Sequence, residues 1–258
     1  LKKMFATERR NVILEILNEK KRVTVKDLSK ILNVSEATLR TDLTYMEKQR
    51  LLTRTHGGAV LDNAIPSENT FSERAKRNVE SKSTIAKKAI ELINDKDCIL
   101  LDASTTALEI ARLLKENNIQ LTVLTNGITA AIELRDNPAI NVILLGGMLR
   151  NGSMALEGPF GVPVLNQIHV DIMFTSARGF TVDEGLTDFS VYEVELKKSL
   201  VSKVEKVVAI IDHSKIGDNS IASFATIHDI DEFITDEDVD DQLKEVFTQN
   251  NITFHIAK

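Results

Sequence analysis

Apolar residues recur three and four apart in some stretches of the chain and in short unbroken runs in others. Residues 8–22, ERRNVILEILNEKKR, set Val12, Ile13, Ile16 and Leu17 on one face, which predicts a helix. In VKDLSKIL (25–32) the face continues through Leu28, Ile31 and Leu32, with Thr24 and Asp27 in the positions of a near capping box. Ser29 is small where two helices could cross. Asn33-Val34 reads as a turn, and asparagine tolerates the left-handed backbone there. Ser35 then caps a third helix, SEATLRTDLTYMEKQ, whose Leu39, Leu43 and Met46 face inward. LLTRTHGGAV (51–60) reads as a short hairpin with Gly57-Gly58 at its turn.

Beyond residue 78 the pattern changes. CILLD, LTVLTN, NVILLGG, VDIMFTSA and KVVAIID are short apolar runs that end in small or polar residues. Helical patterns stand before and among them: VESKSTIAKKAIELI, with Ile85, Ala86, Ala89, Ile90 and Ile93 on one face, TALEIARLLKE, ITAAIELRD and YEVELKKSLVSK. Strands apolar on both faces and separated by helices predict an α/β domain with a mainly parallel sheet. Between the two patterns, Asn63, Pro66, Ser67 and Asn69 mark a linker, with Phe71 and Arg74 as candidates to dock it. The expected organisation is a helical winged head at 1–62, a linker at 63–78 and an α/β body at 79–258.

Charge sharpens this division. The whole chain carries −6, but residues 1–62 hold 13 Lys and Arg against 8 Asp and Glu, and the remainder 19 against 30. A basic head on an acidic body implies different partners for the two. The outward face of the third helix offers Glu36, Ala37, Thr38, Arg40 and Thr41 after Ser35, short side chains around one arginine that can approach base edges in a groove. Arg54 and His56, beside Gly57, are placed for phosphate or the minor groove. Double-stranded DNA is the expected partner of the head.

Ligands of parallel sheets bind beyond the carboxyl ends of the strands. Those ends carry Asp102, Ser104, Thr105 and Thr106; Thr125 and Asn126; Gly147 with Arg150; Ser176 and Arg178, then Glu184; and Asp212 to Gly217 with Lys215. DASTT opens a helix, whose free N–H groups and hydroxyls favour an anion, and Lys215 or Arg150 could complete the charge. Asn126 and Asp102 suit a polyol, so a phosphorylated sugar fits both halves.

The stretch VSEATLRTDLTYMEKQRLLTRTHGGAV resembles the DNA-binding signature of the DeoR family of bacterial transcription regulators: a serine opening the recognition helix, Arg-x-Asp at Arg40 and Asp42, and a wing ending His-Gly-Gly-Ala from His56. Thr41 stands where the family commonly has a second arginine. LLDASTTALEIA, LTVLTNG, VILLGGMLR, EGLTD and IDHSKIG resemble the family's effector domain, which is similar in fold to ribose-5-phosphate isomerase. Ser-Ala-Arg-Gly-Phe at 176–180 departs from the Gly-Ala-Asp-Gly-Ile of many relatives. The resemblance implies a repressor of sugar-metabolism genes controlled by a phosphorylated sugar, working as a homo-oligomer, a dimer or tetramer, that reads two half-sites.

Two other readings use the same residues. An isomerase-like enzyme with an accessory domain could employ Asp102, Glu184, Asp212 and Lys215 as acid–base groups. A body that only pairs the heads would leave the polar strand ends without purpose. No P-loop, dinucleotide fingerprint or metal-ligand spacing among the five histidines is present, so no cofactor or metal is expected. Cys98 reads as a buried small hydrophobe. No run approaches the ~18 apolar residues of a membrane span, and no secretory leader is evident, so the expected location is the cytoplasm without a membrane partner.

Overall fold

The computed structural model of the chain describes residues 6–20, 22–48, 51–60, 70–150 and 152–258. They fall into two compact units that divide between Glu73 and Arg74. The predicted linker residues Asn63, Pro66, Ser67 and Asn69 lie outside the described residues.

In the first unit, α1 (Ala6–Lys20), β1 (Arg22–Thr24), α2 (Val25–Leu32) and α3 (Glu36–Lys48) are followed by β2 (Thr53–Thr55) and β3 (Gly58–Val60). Ile13, Leu17, Leu28, Leu39, Leu43 and Met46 are fully buried together, so the helical spacing of the apolar residues becomes one core. Val12 and Ile16 are only partly buried. Ile31, expected inside, is 51% exposed, while its neighbour Leu32 packs against the core, so the last turn of α2 buries only one of the two. Thr24 Oγ1 accepts from the Asp27 N–H at 3.1 Å, and Asn33 takes the left-handed conformation (φ 51°) that ends α2. Ser29 Oγ donates to the Val34 carbonyl at 2.7 Å across the turn.

The wing is a three-stranded antiparallel sheet in the order β1-β3-β2, one strand more than the hairpin expected from sequence. Its turn is His56-Gly57, because Thr55 pairs with Gly58. Gly58 therefore belongs to the strand. A Cβ there would collide with the Val23 carbonyl of β1, so glycine is what lets the third strand approach.

In the second unit a short helix, α4 (Phe71–Lys76), straddles the division and α5 (Val79–Ile90) follows. The chain continues through β4 (Cys98–Leu101), α6 (Thr105–Lys115), β5 (Leu121–Thr125), α7 (Ile128–Leu134), β6 (Ile140–Leu144), β7 (Met148–Leu149), β8 (Leu156–Glu157), β9 (Ile172–Thr175), β10 (Gly179–Thr181) and β11 (Gly185–Asp188). It ends with α8 (Val191–Val201), β12 (Lys206–Ile210), β13 (Ala222–Ala225), β14 (Glu232–Thr235), α9 (Asp241–Gln249) and β15 (Thr253–Ile256).

Seven strands form one parallel sheet in the order β15-β14-β12-β9-β4-β5-β6. Successive strand residues serve opposite faces. Ile99, Leu101 and Val123 pack with Ile85, Ile110 and Ala111 of the helices on one side, and Leu100, Leu124 and Met173 with Leu196 and Leu200 of α8 on the other. The chain first builds β4, β5 and β6 in one direction, then returns to β9 on the far side of β4. That reversal opens a crevice beyond the carboxyl ends of β4 and β9.

The five predicted runs are β4, β5, β6, β9 and β12. Sequence reading missed β14 and β15, whose apolar runs are broken by charge: Glu232 opens β14 and pairs with Lys206 (2.9 Å) and with His255 of β15 (2.6 Å). It also took EGLTD for a strand end. Gly185–Asp188 is instead the middle strand of a small antiparallel sheet, β10-β11-β13, backed by a cluster of Phe180, Phe233, Phe247 and Phe254.

Candidate functional site

On the head, α3 presents Ser35, Glu36, Ala37, Arg40 and Thr41 as exposed residues, with Thr38 partly exposed. Ser35 Oγ accepts from the Thr38 N–H at 3.2 Å, which caps the helix. Arg40 is half exposed and has only a loose i,i+4 partner in Glu36 at 3.7 Å, so its guanidinium is available outward. Asp42, two residues on, points inward. It is buried and takes Arg9 Nε at 2.5 Å and Arg10 Nε at 2.9 Å, which locks α1 against α3. Arg10 also lies over the Tyr45 ring, 3.8 Å from its centroid. The Arg-x-Asp pattern thus splits into one outward and one structural residue. His56 and Gly57 are exposed at the wing turn. Arg54 turns back: its Nη1 donates to Thr44 Oγ1 of α3 at 2.8 Å and its backbone N–H to Glu47 at 3.0 Å. It braces the wing on the helix instead of reaching outward.

In the body, Asp102 is fully buried at the end of β4 and organises the turn behind it. One oxygen accepts from the Ser104 N–H at 3.0 Å; the other accepts from Thr175 Oγ1 at 2.8 Å and the Ser176 N–H at 2.9 Å, bridging β4 to β9 across the switch point. Ser104 Oγ then caps α6 by accepting from the Ala107 N–H at 3.1 Å. Lys197 of α8 supplies the counter-charge. It is buried among Asp102 (3.2 Å), Asp188 (3.0 Å) and Glu193 (3.6 Å), and donates to the Ser176 carbonyl at 2.8 Å. Burial pushes the Asp102 pKa up, but the Lys197 ammonium and the three hydrogen bonds outweigh it and hold the carboxyl below its usual range. Burial pushes Lys197 down, and the three carboxylates overcome it and raise it. Burial and the neighbouring Asp188 lift Glu193 to about 7.

A cavity of about 110 Å³ opens beyond these strand ends. Thr105, Arg178 and Lys215 of the expected set line it. Lys215 Nζ lies 3.3 Å from Asp212 and donates to Ser176 Oγ at 3.0 Å. Burial lowers its pKa, and Asp212 opposes that. Sequence reasoning missed the wall contributed by Arg74, Arg77, Asn78 and Lys82 at the start of this unit, and Asp188, Phe189 and Asp218. Lys82 Nζ donates to the Arg74 and Arg77 carbonyls, both at 2.5 Å, and burial with the nearby Lys215 lowers it to about 8. Asn78, in a left-handed conformation (φ 48°), donates to Asp212 and Ser214, both at 3.0 Å. A positive-φ asparagine before a helix leaves no signal in apolar spacing, and Lys197 stands beside Lys198 in sequence with nothing to tell the buried one from the exposed one.

The remaining expected residues do not line the cavity. Thr125 Oγ1 accepts from the Gly127 N–H at 2.9 Å and Asn126 Nδ2 donates to the Leu156 carbonyl at 3.1 Å, so both hold the turn after β5. Gly147 makes room for β8, since a Cβ there would sit 2.7 Å from the Glu157 carbonyl. Arg150, the alternative to Lys215, is taken by buried Glu157 (2.7 Å) and by Ser190 (2.6 Å), the cap of α8. Glu184 is exposed on the β10–β11 turn, away from the strand ends. Thr106 is buried within the first turn of α6. Folding brings His169 to Asp171 and Glu205, and His213 to Asp236 and Glu237, which no sequence spacing revealed; each group pairs an exposed histidine with one exposed and one partly buried acid. Cys98 is half-buried, and burial together with Asp171 raises its thiol pKa.

A winged helix with an outward recognition helix, followed by a parallel α/β body with a basic strand-end cavity, defines a ligand-sensing regulator of DNA. Two family descriptions match the chain: DeoR-like helix-turn-helix domain over residues 9–64 and DeoR C terminal sensor domain over 77–237. The chain belongs to the DeoR family of DNA-binding transcriptional regulators. It is 44% identical to the HTH-type transcriptional regulator GolR of Listeria innocua, over 99% of this chain and 100% of that one. It is 35% identical to the HTH-type transcriptional repressor GlcR of Bacillus subtilis, over 90% and 89%. The glycerol-3-phosphate regulon repressor of Escherichia coli is 29% identical over 98% and 100%. Among solved structures, a D-ribose-5-phosphate isomerase in complex with phospho-erythronic acid matches 54% of this chain and 55% of its own at 17% identity and a TM-score of 0.42. The delta subunit of eIF2B from Chaetomium thermophilum matches 83% and 66% at 15% and 0.41. Among the described residues no helix is long and apolar enough to cross a membrane.

Proposed function

We propose that the protein represses genes of sugar metabolism by holding operator DNA with its winged head, and that a phosphorylated sugar in the body's cavity alters that grip. The observation that carries this reading is the cavity itself: Lys215 and Thr105, at the amino end of α6, meet beyond the strand ends with further basic side chains around them. A phosphate there would accept from free helix N–H groups, the Thr105 hydroxyl and the Lys215 ammonium. The names of two relatives, a glycerol-3-phosphate regulon repressor and the repressor GlcR, support a phosphorylated metabolite and repression. On the DNA side, Ser35, Glu36, Ala37, Thr38, Arg40 and Thr41 enter the major groove, His56 and Gly57 meet the backbone, and Arg54 steadies the wing. Two heads of a dimer or tetramer in the cytoplasm would read two half-sites.

The cavity's wall begins at Arg74, where the chain enters the body, so a ligand that orders this wall acts on the segment that leads from the head. Its differential affinity for the DNA-competent and incompetent arrangements sets the response. We read the body as a sensor and not an enzyme because Asp102, the obvious general base, is committed to Lys197 and three hydrogen bonds.

The test is a thermal-shift and DNA-retardation series on the whole protein with sugar phosphates and their unphosphorylated parents. A phosphorylated sugar at 100 times its dissociation constant stabilises by about 2.7 kcal/mol, and only the phosphorylated form changes retardation. K215A abolishes both effects and keeps ligand-free DNA binding. A K215A protein that responds fully would overturn the site.

A further inference from the structure

The geometry points to an apolar patch at the β6 end of the sheet, carried by Leu144, Met148, Leu149, Phe160 and Tyr192, as the surface on which a second copy of this chain docks. The inference rests on the reading that two heads act together and adds the place where their bodies meet.

Among the described residues of the body, eight large apolar or aromatic side chains are well exposed, and five of them belong to this one region. They are neighbours. β6 is the last strand of the sheet, and Leu144 ends it exposed. The chain then turns through Gly146 and Gly147 into β7, whose Met148 and Leu149 are both exposed while their backbones pair with Glu157 and Leu156 of β8. Phe160 follows in a short 3-10 helix, 74% exposed. It stands beside Gly161, where a Cβ would lie 2.8 Å from the Gly146 carbonyl, so this turn sits directly on the end of β6. Tyr192, in the first turn of α8, is drawn in by Arg150, whose guanidinium lies 5.6 Å from the ring centroid.

Size and charge select the occupant. At roughly 200 Å² for a whole large side chain, the five exposures, from 44% to 74%, leave on the order of 500 Å² of apolar surface. An interface of standard size takes roughly 800 Å² from each partner, about 65% of it apolar between like copies, so the patch matches what a stable dimer needs. The body is acidic, with 19 Lys and Arg against 30 Asp and Glu beyond residue 62, so two copies repel over most of it. From Leu144 to Leu165, however, the sequence holds one base and one acid, Arg150 and Glu157, and these pair with each other at 2.7 Å. A two-fold axis sets each charge near it against its own like, and a patch without net charge escapes that penalty. An anionic membrane or a nucleic acid would need cations here, and the one arginine is already engaged.

Sedimentation velocity of the whole protein at micromolar concentration tests this. The wild type sediments as a dimer or a larger even-numbered assembly. F160D and L149D each halve the mass or weaken association about 30-fold or more, the effect of losing one central anchor. Both keep the wild-type far-UV circular dichroism, because both side chains are exposed in the single chain. V182D adds the same charge to an exposed apolar position on the β10–β11 turn and leaves association unchanged. A monomeric wild type overturns the inference together with the reading of paired heads. A wild-type oligomer that survives F160D or L149D, or that V182D dissociates as readily, overturns the inference alone and leaves the DNA and sensor readings intact.

Discussion

Among the described residues the head and the body each bury a cluster in which one charge faces several of the opposite sign, and the two clusters are opposite in sign. In the head a single acid, Asp42, sits between two arginines, Arg9 and Arg10. In the body a single lysine, Lys197, sits among three acids, Asp102, Asp188 and Glu193. Each cluster underlies a functional surface. The head's keeps a net positive core beneath a helix that must approach a polyanion. The body's keeps a net negative core beneath a basic cavity, where burial lowers the pKa of Lys215 and Asp212, more than Asp188, opposes that. The comparison separates two ways of fixing an element: Asp42 holds α3 through one shared carboxylate, whereas Lys197 holds α8 to the ends of β4 and β11 through several.

Mutation breaks this symmetry most strongly at the odd member of each cluster. D42A leaves two arginines without their shared carboxylate, and K197M leaves three buried acids without a cation. Each costs about 3–5 kcal/mol, the range for stranding buried charge. D102N removes one of three mutually repelling acids and costs less than K197M. The chain has two tyrosines, Tyr45 in the head and Tyr192 in the body, and no tryptophan. Urea titrations followed by tyrosine fluorescence in Y192F and Y45F backgrounds therefore read the two units separately. If D42A and D102N cost the same, the comparison of one acid with three is wrong.

Titration sharpens it next. Glu193 is raised from 4.5 in the unfolded chain to about 7 in the folded one. Between those values the folded state binds more protons than the unfolded state, so its contribution to stability is full below about 4.5 and is lost as pH rises through about 7. At 1.36 kcal/mol per pKa unit the loss is on the order of 3 kcal/mol. E193Q removes this component, measured as the difference between wild-type and variant stability from pH 4.5 to 8. A difference that grows in the opposite direction would contradict the cluster's charge arrangement.

The smallest effect probes the brace between wing and helix. R54A removes the bond from Nη1 to Thr44 Oγ1 and costs the head about 0.5–1.5 kcal/mol, the net worth of one hydrogen bond. The same variant lowers DNA affinity modestly and leaves the salt dependence of binding nearly unchanged, because this arginine turns inward. A loss of about one unit in the slope of log affinity against log salt would instead make Arg54 a phosphate contact.

How much of this was legible in sequence depends on whether a residue's job follows from its neighbours in the chain. Helices α1 to α3 were legible because Ile13, Leu17, Leu28, Leu39 and Leu43 follow a helical period and all bury. Four of the five hydrophobic strands, β4, β5, β9 and β12, were legible because both their faces are covered, and β6 was legible from its apolar run although it lies at the sheet edge with Leu144 exposed. β14 and β15 were not, because Glu232 is satisfied by Lys206 and His255 from flanking strands, a pairing visible only across the sheet. The strand-end rule located Thr105, Arg178 and Lys215 at one cavity, but it gave Arg150 and Asn126 equal standing. Arg150 has a buried partner, Glu157, within one hairpin, and Asn126 a carbonyl thirty residues away. The linker pattern marks Arg74 only as a docking candidate, and Asn78 and Lys82 only as a linker end and a helix position, since nothing local says that the start of α5 folds onto the ends of strands formed much later.

Lys82 ties the entrance of the body together through main-chain oxygens, the carbonyls of Arg74 and Arg77, and not through their side chains. These two hydrogen bonds do not themselves require a particular side chain at 74 or 77, although the Arg74 charge also acts on Lys82. Selection can exchange those two side chains to suit a new ligand while the same lysine keeps the segment in place. In evolutionary terms the cavity has two positions whose side chains can vary while the main-chain hydrogen bonds that fix their segment persist.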